Sequence, residues 1–434
     1  MGGVDEMDFP QARRPLNAVV VGHWRPCDSD IFGDSGTQNR HSRVCATGMI
    51  RDLGAGIQIA PNMRRALKRL GIEPAIERSS IVLDHIQVVR WQDGRVLNET
   101  SVDHQYGDAA AIHRGDLQKA LIDRILELDN IEIRLGATVI DIDFEHPAVC
   151  LQGGDSVYGD VVIAADGVKS IIRRKMFSDD GNRVQPSGDA AFRVLIPREK
   201  MLQDKETAKL INKPQAVRWI GPHRHVVGYP IRNHQLYNAV FVHPDDGSIG
   251  ESWTIPGTKK EITEVFNGWD PRLLKLIASS TRVLKSRLCL HPPLQTWASY
   301  KQAIEIGRWL TGRHRPYIAQ GAAQALEDAA ALAVVLSRID TAQDIPFALQ
   351  VYEKCRKKRA EAVQQSGTEN RIALHLSDGP EQVKRDERFA ASMQGARNPD
   401  KWNDRETQKL LWGYDAEEAA EKCWSERNGI SPQL

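Results

Sequence analysis

The residues best placed to do chemistry stand where apolar runs stop. Residues 16–22 (LNAVVVG) form a Val-rich run that closes on Gly22. At such a strand end a G-x-G-x-x-G turn would let the backbone approach a pyrophosphate held on the next helix N-terminus. The chain continues instead as Gly22-His-Trp-Arg-Pro-Cys-Asp, so that cradle is absent from the sequence. Three other small-residue sites open or close elements: Gly54-Ala55-Gly56, Asp166-Gly167 at the end of DVVIAAD, and Gly321-Ala322-Ala323 ahead of an Ala-rich stretch. Arg114 stands at a helix start in His113-Arg114-Gly115-Asp116. Each has an ordinary reading on its own: a tight turn, an aspartate capping the following helix, a packing helix, a solvated arginine. The six cysteines, Cys27, Cys45, Cys150, Cys289, Cys355 and Cys423, are scattered without the spacing of a metal site or a disulfide framework.

The elements that must carry these residues follow from periodicity. Residues 16–22 read as a strand buried on both faces, and residues 23–50 as loop. Residues 54–72 give a Gly-rich turn, a short strand, and a helix starting at Pro61 or Asn62 and stopping at Gly71. Residues 114–128 form a helix with Leu117, Leu121, Ile125 and Leu128 on one face and Asp116 as its cap. Strands follow at 131–135, 139–144 and 160–166, then a helix at 170–176. Strand-like runs at 191–196, 225–231 and 236–243 suggest a second, sheet-based domain inserted in the first. The last third is helical, at 321–339 and 346–365, with a polar tail after Leu374 that carries isolated aromatics.

At 434 residues the chain is long enough for two packed domains. With 58 Lys+Arg against 57 Asp+Glu it carries no field suited to nucleic acid or a membrane surface. The amino terminus lacks the apolar core of a signal peptide, Glu6 stands where a myristoylation signal needs Ser or Thr, and no apolar run reaches the ~18 residues of a membrane span. A reducing, cytoplasmic setting is expected.

In their order and spacing, LNAVVVG, GAGIQIAPN, AIHRGDLQKAL, DVVIAADGVKSIIRR, RHVVGYPIR and QGAAQALEDAAALA resemble the group A FAD-dependent aromatic hydroxylases, of the salicylate hydroxylase-like kind, over nearly the whole chain. The resemblance implies an α/β protein. A Rossmann-like FAD-binding domain would use residues 16–185 and 285–370, a sheet-based substrate domain 186–284 with part of 75–110, and a helical region 371–434. It implies that Arg114 reaches the ribityl and phosphate part of FAD, where a guanidinium fork suits an acceptor-rich chain. Gly22, Gly54 and Ala55 would pass beside the cofactor, and Asp166-Gly167 would lie near its pyrophosphate, in contact with FAD and NAD(P)H handling. Gly321 and Ala322 would bring a helix N-terminus to the flavin pyrimidine, stabilising negative charge on the reduced ring. Arg193 and Tyr229, with His225 as a lesser candidate, would face a phenolic or aromatic-acid substrate; a surface arginine and a core tyrosine are the plain alternatives. NAD(P)H and O₂ would be co-substrates, and neither a metal nor a protein nucleophile is needed because the flavin carries the chemistry.

Two departures stand out. The G-x-G-x-x-G cradle and the acid after strand two are missing, and the family's Gly-Asp-Ala-x-His-Pro segment is replaced by a shorter stretch, 309–316, in which Arg313 follows Gly312. They raise the alternative of a non-catalytic remnant or mis-spliced product that binds FAD poorly. A flavin-dependent dehydrogenase is a further alternative.

Overall fold

The computed structural model describes residues 16–22, 42–46, 55–167, 170–177, 184–247, 255–292, 294–299, 303–305 and 317–426, with backbone alone for 42–46 and 303–305. Two large sheets organise these residues.

The first sheet has six strands in the order Ala298–Ser299, Ala303–Glu305, Val161–Ala165, Ala18–Gly22, Ser42–Ala46, Ile131–Leu135. All pair in parallel except the edge strand Ala298–Ser299. All five residues of AVVVG are buried, as a central parallel strand covered on both faces requires. Val19 and Val21 pack with Ile142, Val149 and Val157 of a small antiparallel sheet. Ala18 and Val20 pack with the helices Gly321–Ser337 and Ile345–Leu374.

The strand Ser42–Ala46 corrects the expectation of a loop over 23–50. SRVCA has little apolar periodicity of its own. It is a strand because parallel neighbours on both sides, Ala18–Gly22 and Ile131–Leu135, supply backbone partners.

The second sheet has eight strands in the order Ile255–Pro256, Arg282–Leu290, Gln185–Pro197, Leu236–Pro244, Arg224–Ile231, Gln215–Gly221, His85–Arg90, Val96–Ser101. Side chains alternate between its faces. Phe192, Val194, Trp219 and Phe241 point outward into a core with helices Lys205–Asn212, Lys259–Val265 and Pro271–Ser279. The inner face turns toward the segments around Ala60 and Ala111 and the carboxy-terminal helices, with Ile86, Tyr229 and Ile231 sharing a core with Ile318, Trp402 and Trp412.

One further expectation is corrected. Asp116 does not cap the helix Arg114–Leu126: His113 is the N-cap, its Nδ1 accepting from Gly115 N at 3.1 Å, while Asp116 is taken by Arg232 from the second sheet. The polar stretch after Leu374 is helical and packed. It forms helices Pro380–Ser392, Arg405–Trp412 and Ala416–Ser425, and Asp400 makes a buried 2.6 Å ion pair with Arg218. Among the described residues no helix is long and apolar enough to cross a membrane.

Candidate active site

The first sheet collects one set of candidates at its carboxyl edge. Gly22 ends its strand beside Ala46 and Ala165, and Asp166-Gly167 follow Ala165 directly. The chain leaves Ala18–Gly22 toward Ser42–Ala46 on one side, while Val161–Ala165 lies on the other. Ligands of open parallel sheets sit outside the strands' carboxyl ends at such a reversal. Gly167 adopts φ 81°, a left-handed conformation that favours glycine, and its carbonyl accepts from Arg173 at 3.1 Å. Asp166 is buried, and its Oδ2 accepts from Ile171 N at 2.8 Å at the start of the helix Ile171–Met176, the capping role given above as the plain reading. Burial raises its pKa against the hydrogen bonds from Ser170 and Ile171. Gly54, the 23–41 stretch with the absent cradle, and the 309–316 segment lie outside the described residues.

A second set gathers between the sheets. Gly56–Ile59 pairs antiparallel with Ala110–His113, so Gly56 lies opposite His113 and Arg114 N donates to Ala55 O at 3.1 Å. Ala55, Gly56 and Arg114 are all part-buried. Among the described residues the Arg114 side chain makes no hydrogen bond or ion pair, although it stands inside the molecule. Gly56 is sterically obligatory: a Cβ there would stand 2.7 Å from Tyr229 Cε2 and 2.9 Å from Asn238 Cβ. The helix Gly321–Ser337 starts nearby, since Ala322 and Ala323 share a core with Ile59, Ile112 and Leu117. Gln320, its N-cap, makes no capping bond; its Oε1 accepts from Asn62 Nδ2 at 2.9 Å. Gly321 is part-buried and Ala322 buried, so a helix N-terminus with uncapped N–H groups begins on small residues.

The inner face of the second sheet supplies the opposite wall. Two rows cross its central strands: Arg193, Val240 and Val227 in one register, Leu195, Asn238 and Tyr229 in the next. Arg193, Leu195, Val227 and Val240 are only part-buried, whereas their outward neighbours Phe192, Val194, Val226 and Phe241 are buried. Part-exposed side chains on central strands leave this face partly open and mostly apolar, with Arg193 as the cation among these four residues. Arg193 donates to Ser286 Oγ at 2.5 Å. Tyr229 is buried, which pushes its pKa well above the ordinary tyrosine value, and the opposing fields of Arg114 and Arg193 are smaller. Its hydroxyl is therefore a neutral donor and acceptor near neutral pH. His225 lies farther along the same face, its Nδ1 2.8 Å from His375 Nε2. Burial, then His375, Arg218 and Arg371, holds it well below the usual histidine range, so it is neutral.

Ala55, Arg114, Arg193 and Tyr229 are thus brought together, with Gly321 and Ala322 on the adjoining helix, while Gly22, Asp166 and Gly167 stand at the sheet edge. The sequence reading missed Asn238, Gln320 and His375. Asn238 was within reach, because a hairpin that faces Tyr229 across its turn places residue 238 directly opposite it. This donor set suits FAD: a guanidinium with no acceptor among the described residues, a helix N-terminus and small residues for an acceptor-rich, planar cofactor, and an open parallel-sheet edge for its pyrophosphate.

No family model matches the chain. It is similar to the FAD-dependent monooxygenase atnJ of Arthrinium sp., with 39% identity over 415 residues covering 94% of this chain and 96% of the relative. It is also similar to the 3-amino-4-hydroxybenzoate 2-monooxygenase PtmB3 of Streptomyces platensis, with 32% identity over 352 residues covering 77% of this chain and 82% of the relative. In fold it matches a salicylate hydroxylase solved as a substrate complex, with TM-score 0.77 and 23% identity over 98% of this chain and 100% of that one. Neither the remnant nor the dehydrogenase alternative is favoured by these likenesses. The chain belongs to the FAD-dependent monooxygenases.

Proposed function

We propose that this monooxygenase hydroxylates a phenolic or aromatic-acid substrate, consuming one NAD(P)H, one proton and one O₂ and releasing NAD(P)⁺ and water with the hydroxylated product. The observation that carries the reading is the chamber on the inner sheet face, where Arg193, Val227 and Val240 are part-exposed beside Tyr229 and the Ala55-Gly56 turn. Bound FAD would supply electron transfer from NAD(P)H and oxygen activation. Arg114 would hold its ribityl and phosphate part, with Gly22, Gly54, Ala55, Asp166, Gly167, Gly321 and Ala322 along the rest. Residues 16–185 and 285–370 would form that cofactor domain, 186–284 with part of 75–110 the substrate domain, and 371–434 the helical buttress.

Arg193 would attract a carboxylate or phenolate, and the neutral Tyr229 hydroxyl would bond its oxygen without adding a repelling charge. Val227, Val240 and Leu195 would exclude water from the ring. The 3-amino-4-hydroxybenzoate named for one relative has this chemistry, a ring carrying both a carboxylate and a hydroxyl. The test is the visible spectrum of the purified chain, followed by NAD(P)H oxidation with and without a panel of hydroxybenzoates. Yellow protein, stimulated oxidation and a product carrying one oxygen atom from ¹⁸O₂ are expected. Colourless protein, or substrate oxidation without oxygen incorporation, overturns the reading.

A further inference from the structure

We propose that the hairpin joining Arg224–Ile231 to Leu236–Pro244 is a two-point clamp that sets the spacing between the substrate chamber and the cofactor segment, with Asn238 as its inner contact and Arg232 as its outer one. The proposal rests on the reading of Arg114 and Ala55-Gly56 as cofactor-binding.

The tip of this hairpin is strained. Arg232, Asn233 and His234 are three successive non-glycine residues in the left-handed region, with φ 50°, 50° and 63°. L-residues rarely adopt this conformation, so the run persists only where surrounding contacts over-determine it. Those contacts are present and come from the flavin-side elements as well as the sheet's own domain. Asn233 Nδ2 donates to Arg78 O at 3.0 Å, and His234 Nδ1 lies 2.6 Å from Ile211 O.

Arg232 makes the longest reach. Its Nε and NH2 donate to the two Asp116 oxygens at 2.8 and 2.7 Å, a fork-on-fork geometry. The same NH2 lies 3.1 Å from His113 Nδ1. That nitrogen already accepts from Gly115 N, so it carries the lone pair and Arg232 meets it as a second donor. His113 and Asp116 flank Arg114 in sequence, on either side of the helix start. Arg232 therefore grips the turn from which Arg114 projects.

The inner contact lies just inward of the tip. Asn238 is fully buried and its Oδ1 accepts from Gly56 N at 2.8 Å. It stands directly opposite Tyr229 in the ladder, and only two further pairs, Pro230 with Tyr237 and Ile231 with Leu236, separate it from the strained tip. The absence of a Cβ at Gly56 lets the Tyr229 ring and Asn238 close on the turn. A hairpin pinned at these two points cannot slide relative to Arg114 without losing one of the contacts. Oxygen transfer needs that stiffness, since a misplacement of about 1 Å can cost on the order of 100-fold in rate. Asn238 and Arg232 are positioning residues, acting through Gly56, Tyr229 and Arg114.

The test compares Arg232→Ala, Asp116→Ala and the charge-swapped double variant Arg232→Asp/Asp116→Arg with the parent in the full-length, FAD-loaded protein. Two readouts are used: hydroxylated product per NAD(P)H, and the visible circular dichroism of bound flavin before and after adding salicylate as probe. Both single variants are expected to keep stoichiometric FAD and a substrate KM near the parent's. Their product yield falls several-fold with peroxide making up the difference, the salicylate-induced signal shrinks, and the swap restores most of both. Parental yield and signal in the single variants, or a swap no better than they are, overturns the clamp. A parent that binds FAD but makes no product sinks the hydroxylase reading instead, and the flavin signal then decides the clamp by itself.

Discussion

Arg114 and Tyr229 lie within electrostatic reach of each other with opposite characters, one a cation whose side chain has no acceptor among the described residues and the other a phenol whose ionisation is opposed by burial. Removing the guanidinium should therefore cost cofactor binding and little else. Arg114→Ala is expected to raise the FAD dissociation constant by roughly 10- to 150-fold, the worth of a charge-assisted contact of about 1.5–3 kcal/mol, in an equilibrium flavin titration. An unchanged constant would return it to the class of surface arginines. Arg193→Ala and Tyr229→Phe act on the other partner. FAD content should stay at the parent's value while hydroxylated product per NAD(P)H falls and peroxide rises, because substrate is held less firmly where the oxygen is delivered. Equal yields in parent and variants would remove both from the site. Arg114 was legible because a helix-start Arg inside a patterned segment is local information. The contacts that Asn238 and His375 make were not, because their partners Gly56 and His225 are 182 and 150 residues away.

Between elements, the strongest polar contact ties the helix beginning at Gly321 to the long helix Ile345–Leu374. Arg356 is fully buried, its Nε 2.7 Å from Asp328 and its NH1 2.7 Å from Glu327, and Arg359 grips Glu327 at 2.7 Å. Asn62 also donates to Glu327, so the network reaches back to the helix after Gly56–Ile59. Burial raises the Asp328 carboxyl to about 6 even with Arg356 beside it. Arg356→Met strands that carboxylate, and breaking such a pair costs roughly 3–5 kcal/mol. The folded-state pKa already lies above the unfolded one at about 6, and removing Arg356, which lowers it, pushes it higher still, so the variant's extra destabilisation grows as pH rises beyond about 6 and is relieved by protonation below it. Urea melts are expected to show a larger deficit for the variant at pH 8 than at pH 5; an equal deficit would mean that Asp328 does not titrate. Helical periodicity revealed both helices, but it carried no sign of Ser42–Ala46, whose strand identity depends on parallel neighbours rather than on its own residues.

Across the molecule, the carboxy-terminal segment is part of the structure that holds the chamber. Asp400 is fully buried, accepts from Arg218 at 2.6 Å and from Asn370 Nδ2 at 3.0 Å, and so joins the second sheet to the long helix. The guanidinium of Arg218 also lies over the Trp402 ring at 5.2 Å. Asp400→Ala leaves a buried arginine unpaired, and a loss of roughly 3–5 kcal/mol is expected, enough to remove a large share of a typical domain's stability. Thermal melting with and without FAD checks it. A shift of under a degree would show that the tail is an appendage after all.

The sequence alone determined the parallel strand at Ala18–Gly22, the helix at Arg114, the Gly321 helix and the family likeness, because apolar spacing and small residues at element ends act within a few residues of chain. It also held the departures around Gly22 and Gly312, which lie outside the described residues. Only the tertiary structure decided that Asp116 serves Arg232 rather than its own helix, that Gly56 must be glycine because Tyr229 and Asn238 close on it, and that aromatics in a polar tail are core. These depend on contacts between residues more than a hundred positions apart. Such pairings leave no periodic trace in either segment, and the burial that gives Tyr229 its neutral hydroxyl and His225 its neutral ring exists only once both sheets and the tail are in place.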